Sequence, residues 1–583
     1  MIDCTSKVML HMATPYWQPF LGFTLMVIFV SSSLSCPARC ECSAQIKSVI
    51  CHRKRFVTIP EGIPIETHIL DLSKNKLRSI NPDNFSSYPQ LEELDLSGNF
   101  IRYVEPGAFS ALINIRTLSL RGNLINLIPV GVFSGLSNLT LLDISDNKIV
   151  ILLDFMFQDL RKLKSLEVGD NDLVYISHKA FSGLLSLETL TLERCNLTMV
   201  PTEAFSHLHN LVSLYLRHLR ISTLHPYSFK KLSHLRHLEI DSWHSLDVFP
   251  ANTLHGLNLT TLSVTNTNLS TFPYQALRHL PYLTHLNLSF SRIGLIAGGM
   301  LRDLVRLREL HIVGAQLAVI EPGAFQGLPV LQVLNISRNR LETLEREAFQ
   351  APESLEKLLI DGNPLVCDCR LMWVLQKRHS IQFGQTQPSC STPEGVHGQP
   401  FRELKELQLS HYVTCTKPRI QENHTELLVV EEGQPAWIYC TADGSPQPTI
   451  SWLTPHYRQI TDKTNGRVTV YPNGTLEIKM AEVHDSGMYL CIASNAAGNE
   501  TLSVSLSVKE LNISDRSLYN NRTPQYYTDL RAVLFCFLLL IVWSRGKGKH
   551  KSNIDIEYIP RKSVGATDLT ETSGPRRVNM KMI

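Results

Sequence analysis

Thirteen cysteines are the most reactive side chains of this sequence. Ten fall into three local groups: Cys36, Cys40, Cys42 and Cys51; Cys367, Cys369, Cys390 and Cys415; Cys440 and Cys491. Even-numbered groups read as disulfides in an oxidising compartment and as metal or redox sites in a reducing one. The start of the chain decides between these. Lys7 precedes the apolar run LGFTLMVIFV (Leu21 to Val30), and SSSLS follows before Cys36. A basic residue, a short apolar stretch and small residues, in that order, make a secretory signal with cleavage expected near Ser35. The thiols are therefore expected to oxidise, and spacings unlike paired C-x-x-C argue further against zinc. Spacing alone permits three connectivities within each group of four. Of the remaining thiols, Cys4 lies in the signal, Cys536 in a second apolar run, and Cys195 inside a repeat.

Other candidate residues fit the same compartment. Twelve N-x-S/T sequons begin at Asn84, Asn138, Asn196, Asn258, Asn268, Asn287, Asn335, Asn423, Asn473, Asn499, Asn512 and Asn521, each a candidate glycosylation site. His207, His209, His218, His225, His234, His237 and His244 cluster loosely. They could make one surface pH-sensitive, but scattered surface histidines are the simpler reading. No H-E-x-x-H, G-x-S-x-G, P-loop or Gly-rich dinucleotide motif is present, so no catalytic residue, no enzyme activity, no metal and no cofactor are expected. A net charge of +3 over 583 residues gives no electrostatic reason to expect a nucleic-acid partner.

The elements that carry these residues repeat. LEELDLSGN ends at Asn99, IRTLSLRGN at Asn123, LTLLDISDN at Asn147 and LKSLEVGDN at Asn171. The pattern L-x-x-L-x-L-x-x-N is the leucine-rich repeat signature. Its last position recurs every 24 residues from 75 to 363, giving thirteen units. Each unit places a short strand with leucines inward, and no unit can bury them alone, so the units stack into a solenoid with a concave strand face. Phe85, Phe109, Phe133, Phe157, Phe181, Phe205 and Phe229 share the period, and Phe325 and Phe349 resume it. They predict a buried aromatic spine on the convex side. Cys195, Leu219, Trp243, Thr267, Ser291 and Ala315 replace the signature Asn in units six to eleven, which predicts altered turns there. Cys195 is expected to be a buried free thiol.

Beyond Cys415 the pattern shifts to short strands. Cys440, Trp452 and Cys491, with Tyr489 two residues before the last, have the order of an immunoglobulin domain, in which the two cysteines bridge the sheets. After a polar stalk, Ala532 to Trp543 is apolar, and Arg545, Lys547, Lys549 and Lys551 follow as a positive cytoplasmic flank. Twelve helical residues reach only about 18 Å, against a hydrocarbon core of about 30 Å. In the tail, Tyr558 follows an acid in Glu557-Tyr558-Ile559-Pro560 and is a candidate phosphorylation site, though an unused exposed tyrosine has the same signature.

The expected fold is an α/β leucine-rich repeat solenoid of short parallel strands with disulfide caps, followed by an all-β immunoglobulin sandwich, a single-pass membrane segment and a short disordered tail. The boundaries are 1–35 for the signal, 36–65 for the N-terminal cap, 66–363 for the repeats and 364–417 for the C-terminal cap. The immunoglobulin-like domain takes 418–508, the stalk 509–531, the membrane segment 532–543 and the tail 544–583.

This combination resembles the LINGO family, neuronal surface proteins with leucine-rich repeats and an immunoglobulin domain that interact with the Nogo receptor. CPARCECSAQ, IPEGIPIETHILDLSKN, LEVGDNDLVYISH, CIASNAAGN, VLFCFLLLIVWSRGKGKHK and NMKMI carry the resemblance, which covers nearly the whole chain. It implies cysteine caps paired as Cys36–Cys42, Cys40–Cys51, Cys367–Cys390 and Cys369–Cys415, beside Cys440–Cys491 in the immunoglobulin domain. It also implies a type I single-pass protein of the plasma membrane, an adhesion or co-receptor function bearing on axon growth, synapse formation or myelination, and no enzyme activity. Implied partners are cell-surface or extracellular proteins, among them components of the Nogo receptor complex, and further copies of the chain through its ectodomain. Tyr558 matches a tail tyrosine regarded as phosphorylatable in the family. One departure stands out: the family has more apolar residues before the VLFC stretch, whereas here Asp529 and Arg531 run straight into Ala532. The close match on both flanks favours a shortened form of a membrane protein over a marginal anchor. If the segment does not anchor the chain, the alternative is a secreted decoy or an extracellular matrix scaffold.

Overall fold

The computed structural model describes residues 36–349, 354–421, 427–462, 464 and 466–510. The signal, the stalk, the apolar run at 532–543, Tyr558 and the sequons at Asn423, Asn512 and Asn521 lie outside them. The chain forms two compact units. The larger runs through residue 426 and adds 437–477 and 488–504; the smaller holds 427–436, 478–487 and the chain from 505.

The larger unit is dominated by a fifteen-stranded sheet. Glu41–Ser43 and Ser48–Ile50 form an antiparallel pair that starts it. Every later strand is parallel and pairs with the residue 24 positions on, as in Leu70 with Leu94, Leu94 with Leu118 and Leu118 with Leu142. This register is the sequence period made physical: the middle leucine of each strand lies over its counterpart in the next unit, and both are buried. On the other side the chain returns by turns, by short parallel strand pairs such as Ser79–Ile80 with Tyr103–Val104, and by one-turn helices such as Thr202–Phe205 and Tyr274–Leu277. The predicted spine is present. Phe85, Phe109, Phe133, Phe157, Phe181, Phe205 and Phe229 are all buried. Phe157 stacks on Phe133 at 5.9 Å and on Phe181 at 6.3 Å.

The signature Asn works as a staple between units. Asn99 donates through Nδ2 to the carbonyls of Leu72 and Leu96, at 3.0 and 2.9 Å, while its Oδ1 accepts from the Leu77 amide. One buried side chain thus satisfies backbone groups of two units. The expectation of altered turns where Asn is missing needs correction. The residue before the Asn position is left-handed in all thirteen units, from Lys74 (φ 52°) through Arg194 (46°), His218 (51°) and Phe290 (57°) to Gly362 (68°). The backbone turn is therefore kept, even by side chains that favour it poorly. What changes is the strand and the donor. Strands in units six to nine, Thr189–Glu193, Ser213–Arg217, His237–Asp241 and Thr261–Thr265, have five residues where most others have three. Trp243 Nε1 donates to the Leu216 carbonyl at 3.1 Å, the same bond to the preceding unit that Asn147 makes to Leu120.

Trp373 ends the array, its Nε1 donating to the Leu344 carbonyl at 2.8 Å. The described immunoglobulin-like residues are mainly β, with one 3-10 turn at Val483–Asp485. In the larger unit Thr449–Leu453 runs antiparallel to Gly487–Asn495, with Trp452 opposite Cys491. In the smaller, Leu427–Glu431 runs parallel to the end of the strand Gly498–Lys509.

Candidate functional site

The strands of the long sheet alternate inward and outward. In Ser213–Arg217, Leu214 and Leu216 are buried while Tyr215 and Arg217 stand on the open concave face. The five-residue strands of units six to nine give this face its greatest width, and the most connected side chains gather there. The Arg217 guanidinium grips Glu239 with two nitrogens, one of them at 3.0 Å, and lies 4.6 Å over the Tyr215 ring. Its Nη1 is 3.7 Å from Glu193, and that carboxylate also faces Arg194 at 3.4 Å and His218 at 3.8 Å. Arg194 reaches back to Asp170 at 3.1 Å. Asp241 accepts hydrogen bonds from Thr265, Asn266 and Ser242. Burial pushes the Asp241 carboxyl up, but these three bonds, with His218 nearby, outweigh it and hold it below its ordinary value. Burial has the upper hand at Glu167, whose carboxyl is raised despite the Thr191 hydroxyl.

Such a surface presents charge, hydrogen-bonding groups and one aromatic ring in fixed positions over parallel strands. It is suited to gripping a protein surface. From Ser165 to Ser242 the face carries five carboxylates, Glu167, Asp170, Glu193, Glu239 and Asp241, against two guanidinium groups, so it is acidic while its histidines are neutral.

The candidate residues from the sequence are spread over this frame. Cys36 is bonded to Cys42, Cys40 to Cys51, Cys367 to Cys390, Cys369 to Cys415 and Cys440 to Cys491. The first two bonds lie at the start of the solenoid and the next two at its end. Cys195 is free and buried, with Sγ 3.3 Å from the Glu193 carbonyl, and burial pushes its thiol up to about 12. The histidines do not form one site. His237 lies on a concave strand and His218 beside one, whereas His234 Nδ1 meets the His209 carbonyl at 2.7 Å and His255 packs edge-on against His279 at 4.9 Å.

Sequons Asn287 and Asn335 fall on the concave strands His285–Asn287 and Val333–Asn335. Their Oδ1 atoms accept from Ser289 and Ser337, the hydroxyls of their own sequons. Asn84, Asn138, Asn196 and Asn258 lie off the strands, so the sheet from Ile69 to Thr265 bears no sequon. The Arg217 network carries no short sequence signal, because the carboxylates that meet Arg217, Glu193 and Glu239, sit 24 and 22 residues from it. It becomes visible only once the period sets Glu193 beside Arg217 and Tyr215 beside Glu239.

Comparison with known proteins fixes the family. Residues 66–125, 113–173, 152–197, 185–242, 257–317 and 305–365 match the Leucine rich repeat family, and 418–508 match the Immunoglobulin I-set domain. Human leucine-rich repeat and immunoglobulin-like domain-containing nogo receptor-interacting protein 2 is 64% identical over 607 residues, covering 99% of this chain and 100% of that protein. The chain belongs to the LINGO family. Protein 3 of this family from human is 58% identical over 94% of this chain and 96% of its own, and protein 1 from Xenopus tropicalis is 56% identical over 97% and 98%. The 607 aligned positions exceed the 583 residues of this LINGO chain by 24, so at least that many positions of the human relative have no counterpart here. Among solved structures, the Toll–Spatzle complex from Drosophila in its glycosylated form is similar at a TM-score of 0.51 and 21% identity, over 60% of this chain and 53% of that one. That likeness concerns the fold alone. The leucine-rich repeats, the immunoglobulin domain and the disulfides are of the extracellular type. Among the described residues no helix is long and apolar enough to cross a membrane.

Proposed function

We propose that this chain is a cell-surface adhesion or co-receptor protein that binds protein partners through the concave sheet between Ile69 and Thr265, and that it performs no catalysis. The carrying observation is the Tyr215–Arg217–Glu239–Glu193 network. It is fixed by rigid strands, open to solvent and remote from every sequon that falls on the sheet. A glycan at Asn287 or Asn335 would stand on the same face in units ten and twelve, which leaves the earlier units for a protein partner. The names of the relatives supply the partner to test first, the Nogo receptor. In this reading 532–543 anchors the chain, 544–583 is cytoplasmic and carries Tyr558, and the ectodomain associates with further copies of itself. The shortfall against the human relative supports the reading of a shortened form of a membrane protein.

The test is display of the full chain on cultured cells, with binding of soluble Nogo receptor ectodomain measured by titration. Wild type should bind at the surface. Arg217→Ala should weaken binding by about thirtyfold, the loss typical of a central arginine anchor. Unchanged binding by that variant would place the contact elsewhere. Recovery of the chain in the medium would favour the secreted decoy reading.

A further inference from the structure

The immunoglobulin-like residues carry an exposed aromatic surface of their own. The strands Ala436–Ile438, Leu476–Ile478 and Val468–Val470 form a small sheet. On its outer side Trp437 and Tyr471 stack with centroids 5.9 Å apart and planes at 25°, and Tyr439 continues the same face. They are 40%, 42% and 56% exposed, a large area for three aromatic side chains to leave in water. Tyr471 is held in place: its hydroxyl donates to Glu477 at 2.9 Å.

The turn that follows holds a sequon, Asn473-Gly474-Thr475. It is a tight five-residue turn. The Tyr471 amide donates to the Thr475 carbonyl at 2.9 Å, the Gly474 amide to the Tyr471 carbonyl at 2.9 Å, and the Thr475 amide to Asn473 Oδ1 at 3.1 Å. Gly474 is required there, with φ at +87° and a Cβ that would strike the Cys440 carbonyl. The turn is also tied to the core, because buried Trp452 donates through Nε1 to the Gly474 carbonyl at 2.9 Å. An exposed Asn473 thus stands two residues from the aromatic pair, on a turn that has little freedom to move.

We propose that Asn473 is glycosylated and that its first N-acetylglucosamine packs on the Tyr471–Trp437 platform, fixing the outer sheet of this module. The amide nitrogen of Asn473 takes the anomeric carbon of the sugar from a lipid diphosphate oligosaccharide. The lipid diphosphate leaves and one amide proton is lost. One side of the sugar ring presents C–H bonds, which suit the electron-rich face of an aromatic ring. The sugar is tethered beside its platform, so no free association has to be overcome. The Asn473 oxygen keeps its bond to the Thr475 amide after the reaction, because only the nitrogen is used.

The experiment uses the full chain from mammalian cells. Peptide mass spectrometry reads occupancy at Asn473, and hydrogen exchange in the peptide spanning Thr449–Leu453 reads the stability of the module without a contribution from the solenoid. Asn473→Asp removes the glycan and retains an acceptor for the Thr475 amide. Asn473 should be occupied, and Asn473→Asp should lower protection roughly fivefold, the factor that an ordinary aromatic contact supplies. In a Tyr471→Ser background the same change should have almost no effect. Enzymatic trimming to a single N-acetylglucosamine should preserve protection. An unoccupied Asn473, or an equal loss in both backgrounds, would overturn the proposal, and the platform would then face water or a protein.

Discussion

Glu193 shows how much of the concave face depends on single side chains. Arg194, Arg217 and the His218 ring share its carboxylate, and the carbonyl of the same residue accepts from Cys195 on the buried side. The thiol beneath this network is inert for a definite reason. Burial raises it to about 12, so the nucleophilic thiolate is scarcely populated at neutral pH. Native protein treated with iodoacetamide at pH 8 should therefore show no alkylation at Cys195 by mass spectrometry, and full alkylation after denaturation. Labelling of the native state would mean that the thiol is reached without unfolding. The sequence made Cys195 legible as a tolerated replacement for Asn. It did not make Glu193 or Arg217 legible, because a charged residue between leucines reads only as a solvated strand position. Their meaning arises from stacking, which sets residues of successive units side by side.

At the scale of the element, the repeat was readable because its period and its register are the same number. Leu70 over Leu94 follows from the 24-residue spacing once parallel strands are granted. The response of the middle units was not readable. Losing the Asn staple suggests a lost turn, yet the left-handed residue persists at Arg194, His218 and Phe290. The backbone bonds of a longer strand and the Trp243 indole take over the satisfaction of buried carbonyls. This makes Trp243 a staple as well as a core side chain. Trp243→Phe keeps most of its apolar volume but leaves the Leu216 carbonyl without that donor. It should cost about 1–3 kcal/mol in a urea titration of the whole chain. A loss within error of zero would show that the indole bond contributes nothing beyond packing.

For the whole molecule, the two modules were separable in the sequence because each carries its own signature, the L-x-x-L-x-L-x-x-N period and the Cys…Trp…Cys order. The binding face was legible only as a class: a solenoid offers a concave sheet, but which stretch is open depends on where sequons meet strands. Asn287 and Asn335 do so, and the five before them do not. The claim that partners grip the earlier units follows from that placement together with the Arg217 network. Hydrogen exchange on the full glycosylated chain, with and without saturating Nogo receptor ectodomain, tests it most directly. Slowed exchange in the peptides covering Ser165–Glu167, Thr189–Glu193, Ser213–Arg217 and His237–Asp241 is the expected result. Slowed exchange confined to the convex turns or to units ten to thirteen, with those four strands unchanged, would contradict it.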